Sequence, residues 1–148
     1  MASINFFFEE DARIGSFKKT PLRKWLKELT DTYNKSIACI NYIFCSDSYL
    51  HTINIDYLGH NNYTDIITFD ISLGDNIIEG DIFISVERVK ENACTFEKDF
   101  TEEIHRVIVH GLLHLLGYKD KTIHQKRSMR VQEEFWISKN TVPRGTYK

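Results

Sequence analysis

The sequence predicts an α+β layered fold, with a single mixed four-stranded sheet packed against about five helices. Two observations predict it. Residues 4–8, 37–45, 65–71 and 77–86 read as short apolar or alternating runs of strand length, and five further segments have helical spacing or helix-start signals. A third observation sets the scale: 148 residues suit one domain, 1–148, whose folding should remove roughly 70% of the chain's accessible surface from water.

The elements follow in order. Residues 4–8 are a short apolar strand. Thr20-Pro21 marks a helix start with the proline at the first helical position, and Leu22, Trp25, Leu26 and Leu29 give that helix one apolar side to about Tyr33. Lys18, Lys19, Arg23, Lys24 and Lys27 form its solvated side. Residues 37–45 make the second strand, after which Ser46 or Asp47 caps a helix running to roughly Tyr57. Residues 59–63 are turn-like, and the third strand places Ile67, Phe69 and Ile71 on one face. A turn at 73–76 leads to the fourth strand, with Ile82, Ile84 and Val86 aligned, and a helix is expected over 85–96. Glu102 and Glu103 favour a helix N-terminus after Thr101. That helix carries Ile104, Val107, Ile108, Val109, Leu112, Leu113, Leu115 and Leu116 and stops at Gly117. The last helix, 122–138, is expected to pack through Met129, Val131, Phe135, Trp136 and Ile137.

Composition narrows the function classes. Hydrophobic residues are 42% and charged residues 27%, an ordinary globular balance. A net charge of −2 and a pI near 6.3 do not make a generally basic surface, so any anionic partner must be held by a local patch. No apolar run is long enough to cross a bilayer, and residues 1–10 lack the basic start and cleavage site of a signal peptide, so a cytoplasmic location is expected. Cys39, Cys45 and Cys94 form no CxxC pair and are expected to be small buried hydrophobes.

The informative segment is His110-Gly111-Leu112-Leu113-His114. Residues four apart on a helix lie about 40° apart around its axis and about 6 Å along it, so both imidazoles can face one ion. Almost no other polar residue occupies these two turns, and buried imidazoles need partners. Two histidines leave a site incomplete. Gly117 lets the chain turn back, which brings Asp120 or His124 within reach. With Asp120 the set suits catalytic zinc with an open position for water, and iron or nickel stay open.

The run HGLLHLLGYKD, with GDIFIS and TDIITF upstream, resembles the YbeY family of bacterial rRNA maturation factors. The resemblance spans about residues 4–136, and its histidine motif is the specific part. It implies a compact zinc-dependent, single-strand-specific endoribonuclease whose metal helix is similar to that of zincin proteases. The family pattern, roughly HGxLHLxGYDH, puts the metal ligands on His110, His114 and Asp120, with His114 also given the catalytic role. This chain has Lys119-Asp120 where the family has Asp-His, which lowers the charge of the site by one unit. The family's arginine six residues before the TD threonine falls on Leu58, with His60 or Arg88 as stand-ins. The zincin glutamate falls on Gly111, which disfavours peptide hydrolysis. Asp65, Asp81 and Glu103 are the carboxylates considered as general base.

The resemblance implies single-stranded rRNA precursors and ribosomal particles as partners. Locally, Lys121, Lys126, Arg127 and Arg130 are four basic residues with no acid from 121 to 130. The alternatives are a ribosome-assembly module with a mainly structural metal, against which three ligands rather than four count, and a metal hydrolase of another substrate.

Overall fold

Parallel neighbours in a sheet need a long crossover, while antiparallel ones need only a turn. Both connections occur in a computed structural model, which describes residues 3–12, 14, 15, 17–140 and 142. Strands β1 (Ser3–Phe8), β2 (Ser36–Cys45), β3 (Ile66–Asp70) and β4 (Ile77–Ser85) form one mixed sheet in the order β1-β2-β4-β3. β1, β2 and β4 run parallel, and α1 (Lys19–Thr32) is the crossover between the first two. β3 pairs antiparallel with β4 across a short turn. The remaining helices are α2 (Asp47–Leu58), α3 (Val86–Thr95), α4 (Phe100–Leu115) and α5 (Ile123–Ser138).

The alternation of each strand divides the core in two. Ile40, Tyr42 and Phe44 of β2 and Ile82 and Ile84 of β4 are fully buried in one cluster with Leu22, Trp25, Leu26 and Leu29 of α1 and Ile104, Ile108 and Leu112 of α4. A smaller cluster of Cys45, Leu50, Ile53 and Ile67, with Phe69 and Phe83 against it, joins α2 to the sheet. Gly111 explains how closely α4 can lie. A Cβ there would meet Ile82 Cγ2 at 2.9 Å and Ile66 Cδ1 at 3.0 Å, so any side chain would push the helix off the sheet.

Four expectations are corrected. Pro21 sits at the third helical position of α1 rather than the first, and the N-cap is Lys18 without a side-chain bond. None of the first four helical N–H groups has an intrahelical acceptor, so a proline is tolerated throughout that turn. Ile71 lies beyond the end of β3 and is half exposed. Cys94 is exposed and Cys39 only half-buried, which leaves Cys45 as the buried cysteine. Val131 and Phe135 face outward, because the inward stripe of α5 is Met129, Glu133 and Trp136. Spacings of four and three put these on one side, and the middle residue is a carboxylate.

Candidate metal centre

α4 places His110 and His114 one turn apart on the side away from Ile108 and Leu112, with their side chains 15% and 27% exposed. Leu116 closes the helix, and Gly117 follows at φ +106°, a conformation that favours glycine. Tyr118 N–H then donates to Leu113 O at 3.0 Å, folding the chain back over the last turn. A capping box restarts it: Thr122 Oγ1 accepts from Gln125 N–H, and Gln125 Oε1 accepts from the N–H groups of Thr122 and Lys121. Asp120 is held between these two helix ends.

The result is convergence of three donor atoms. His110 Nε2 and His114 Nε2 are 3.0 Å apart, and Asp120 Oδ2 lies 3.3 Å from the first and 3.4 Å from the second. Ligand atoms held 2.0–2.2 Å from one ion at tetrahedral angles are roughly 3.3–3.6 Å from each other, a range that both carboxylate separations meet and that the pair of nitrogens, at 3.0 Å, falls slightly below. Two aromatic nitrogens and a carboxylate at these separations fit a divalent cation. Burial, then the neighbouring His110, lower the His114 pKa, while Asp120 partly offsets both. The neutral imidazole favoured in this way is the form that binds metal. His124 is exposed and is not part of the group.

The site lies where two grooves meet, since His110, Asp120 and Arg106 line both. One arm, of 870 Å³, is walled by Asn54 and Leu58 of α2, by His60, Asn62 and Thr64 of the α2–β3 connection, and by the carboxylates Asp65 and Asp70. The other, of 380 Å³, follows the first turns of α5 past Lys126, Arg127 and Arg130. Lys119 and Lys121 line the larger arm. A net charge of −2 therefore conceals a basic wall beside the three donors.

The other candidates separate clearly. Of the three carboxylates considered as a base, Asp65 lines the groove, and burial raises its pKa although Arg106 and His110 pull it down. Asp81 accepts from Asn41 Nδ2 on the opposite face of the sheet from α4. Glu103 is buried and grips Arg106 in a fork, with Oε1 2.9 Å from Nε and Oε2 2.5 Å from Nη2. Between the two possible stand-ins for an arginine at position 58, His60 lines the groove, whereas Arg88 is tied to Asp47 at 2.7 Å.

Sequence reasoning missed two residues behind the metal site. Glu133, 4% exposed, puts Oε2 2.5 Å from His110 Nδ1 and accepts from Arg106 Nη1 through Oε1 at 3.1 Å. Burial raises the Glu133 carboxyl, but its bonds to His110 and Arg106 outweigh that and hold it below the usual range. The available signal was a carboxylate on the same stripe as Met129 and Trp136.

A family model described as endoribonuclease YbeY matches residues 7–141. The endoribonuclease YbeY of Christiangramia forsetii is 49% identical over 131 residues, covering 88% of this chain and 90% of the relative. The endoribonuclease YbeY of Cytophaga hutchinsonii is 50% identical over 133 residues, covering 90% and 93%. A solution structure of a Thermotoga maritima protein shares the fold, with a TM-score of 0.65 at 24% identity over 92% of this chain and 87% of that one.

Proposed function

The chain belongs to the endoribonuclease YbeY family, and from that premise we propose that it is a metal-dependent endoribonuclease cutting single-stranded RNA, with rRNA precursors in ribosomal particles as its substrates. The observation that carries this reading is the set of three donor atoms 3.0–3.4 Å apart at the junction of the two groove arms. His110, His114 and Asp120 hold the ion, for which zinc is the reading that suits two imidazoles and a carboxylate. A divalent ion there supplies polarisation of a phosphoryl oxygen and a more acidic water. Lys126, Arg127 and Arg130 hold the phosphates of the strand on one side, and the polar arm with His60 receives the other. Unpaired bases can enter such a groove, which favours a single strand over a duplex.

Gly111, pressed on Ile82 and Ile66, leaves no room for a glutamate at the zincin position, so peptide hydrolysis by that route is disfavoured. Asp65 remains the groove carboxylate placed to take up a proton. The reading extends to one domain over residues 1–148 acting in the cytoplasm. Among the described residues, no helix is long and apolar enough to cross a membrane.

The test is cleavage of single-stranded and duplex RNA by zinc-loaded protein, with and without chelator, beside His114→Ala. Single-strand cutting should fall roughly 10³-fold with either chelator or the substitution. Cutting that survives both would sink the reading.

A further inference from the structure

A neutral imidazole carries one proton, and a metal ligand must offer the nitrogen that lacks it. Which nitrogen that is depends on what the other one touches. At His110 the other nitrogen, Nδ1, faces Glu133 Oε2 at 2.5 Å. An ionised carboxylate only accepts, so the proton belongs on Nδ1 and the lone pair on Nε2. Nε2 is the atom 3.0 Å from His114 Nε2 and 3.3 Å from Asp120 Oδ2.

The carboxylate is itself held. Its side chain is 6% exposed, and Oε1 accepts from Arg106 Nη1 at 3.1 Å, while the same guanidinium is forked on Glu103. The two oxygens of Glu133 therefore serve two donors at once. Among the described residues no buried carboxylate stands behind His114, whose ring meets the backbone of Tyr118 and the side chain of Asp120. The two histidines of the motif are thus oriented by different means, one by a buried side chain of α5 and one by the local turn.

We infer that Glu133 is the positioning residue of the metal centre, a buried carboxylate that fixes His110 as the Nδ1–H tautomer and turns its Nε2 to the ion. Glu133 is not one of the three converging donors and acts through His110. The inference rests on the metal reading given above. Partners of this kind typically contribute 10–100-fold to metal affinity.

The discriminating variant is Glu133→Gln, which keeps the volume but has one acceptor for two donors. The charged Arg106 makes the stronger claim on that oxygen, so the amide NH2 faces Nδ1 and moves the imidazole proton to Nε2. Two readouts follow. In metal-free protein, 15N shifts of His110 should report an Nδ1–H ring in the parent and a shift toward Nε2–H in Glu133→Gln. Zinc dissociation constants, by competition with a chromophoric chelator, should rise roughly 10–100-fold in Glu133→Gln and in Glu133→Ala. A purely structural role would lower melting temperature but leave the tautomer unchanged and zinc affinity within about twofold, and that result overturns the inference. Should Glu133→Ala fail to fold, the isosteric variant decides alone. An Nδ1–H ring in a parent that binds no zinc would instead defeat the metal reading while leaving the Glu133 contact intact.

Discussion

Two arginines each tie a pair of helices through carboxylates, and they do so in unlike surroundings. Arg88 of α3 reaches Asp47 of α2 at 2.7 Å, adds Glu91 at 3.4 Å, and lies over the exposed ring of Tyr63. Its second acid is 67% exposed. Arg106 of α4 binds Glu103 on its own helix and Glu133 on α5, whose side chains are 3% and 6% exposed. Burial alone would lower the Arg106 pKa, but the bonds to Glu103 and Glu133 raise it above its ordinary value. Where water competes, an ion pair adds little; where it is excluded, removing one partner strands the other. Only the second cluster touches the candidate metal centre, so only there should stability and metal binding move together.

Arg106→Met is the severest challenge to that contrast. It leaves Glu103 and Glu133 without their shared cation, and a cost of about 3–5 kcal/mol in urea unfolding is expected, with weaker zinc binding. A loss near that of an exposed pair would erase the distinction between the clusters.

Acid titration of the metal-free protein comes next. The His105 pKa is lowered by burial from 6.5 to about 4. Its native state resists a proton that the unfolded chain accepts, so stability should fall as pH drops from 6.5 to about 4, by on the order of 3 kcal/mol. Glu133, held below its usual range, contributes above about pH 4.5 and is lost as pH falls through its native value. Asp65, raised by burial, works in the opposite sense. His105→Gln should shrink the first window, to which the lowered His114 also contributes, and Glu133→Gln should act only in the more acidic one. A first window unchanged by His105→Gln would refute this assignment.

The smallest effect belongs to the outer cluster. Arg88→Met should cost about 1 kcal/mol or less, shrink further in high salt, and leave zinc affinity unchanged. A change in zinc affinity from this substitution would show that the two clusters are coupled.

Much of this protein was readable in one dimension. Strand runs, the helix over Phe100–Leu115 and its stop at Gly117 follow from local periodicity and cap chemistry. His110 and His114 stood out because four residues is a helical turn. The limits are equally specific. Val131 and Phe135 look like core residues by type, yet the face that α5 turns inward was decided by where it meets α4. Gly111 was legible as the absence of a glutamate, whereas its contacts with Ile82 and Ile66 gave that absence a packing reason.

By itself the sequence determined the helix over Phe100–Leu115, the pair of histidines on it, and the turn that returns the chain toward them. These depend on neighbours within a few residues, where backbone geometry is nearly fixed. Tertiary structure alone decided that Asp120 closes to 3.3–3.4 Å, that Glu133 stands behind His110, and that Arg106 joins α4 to α5. Such contacts span up to 27 residues, and no local period records which two helix faces will meet.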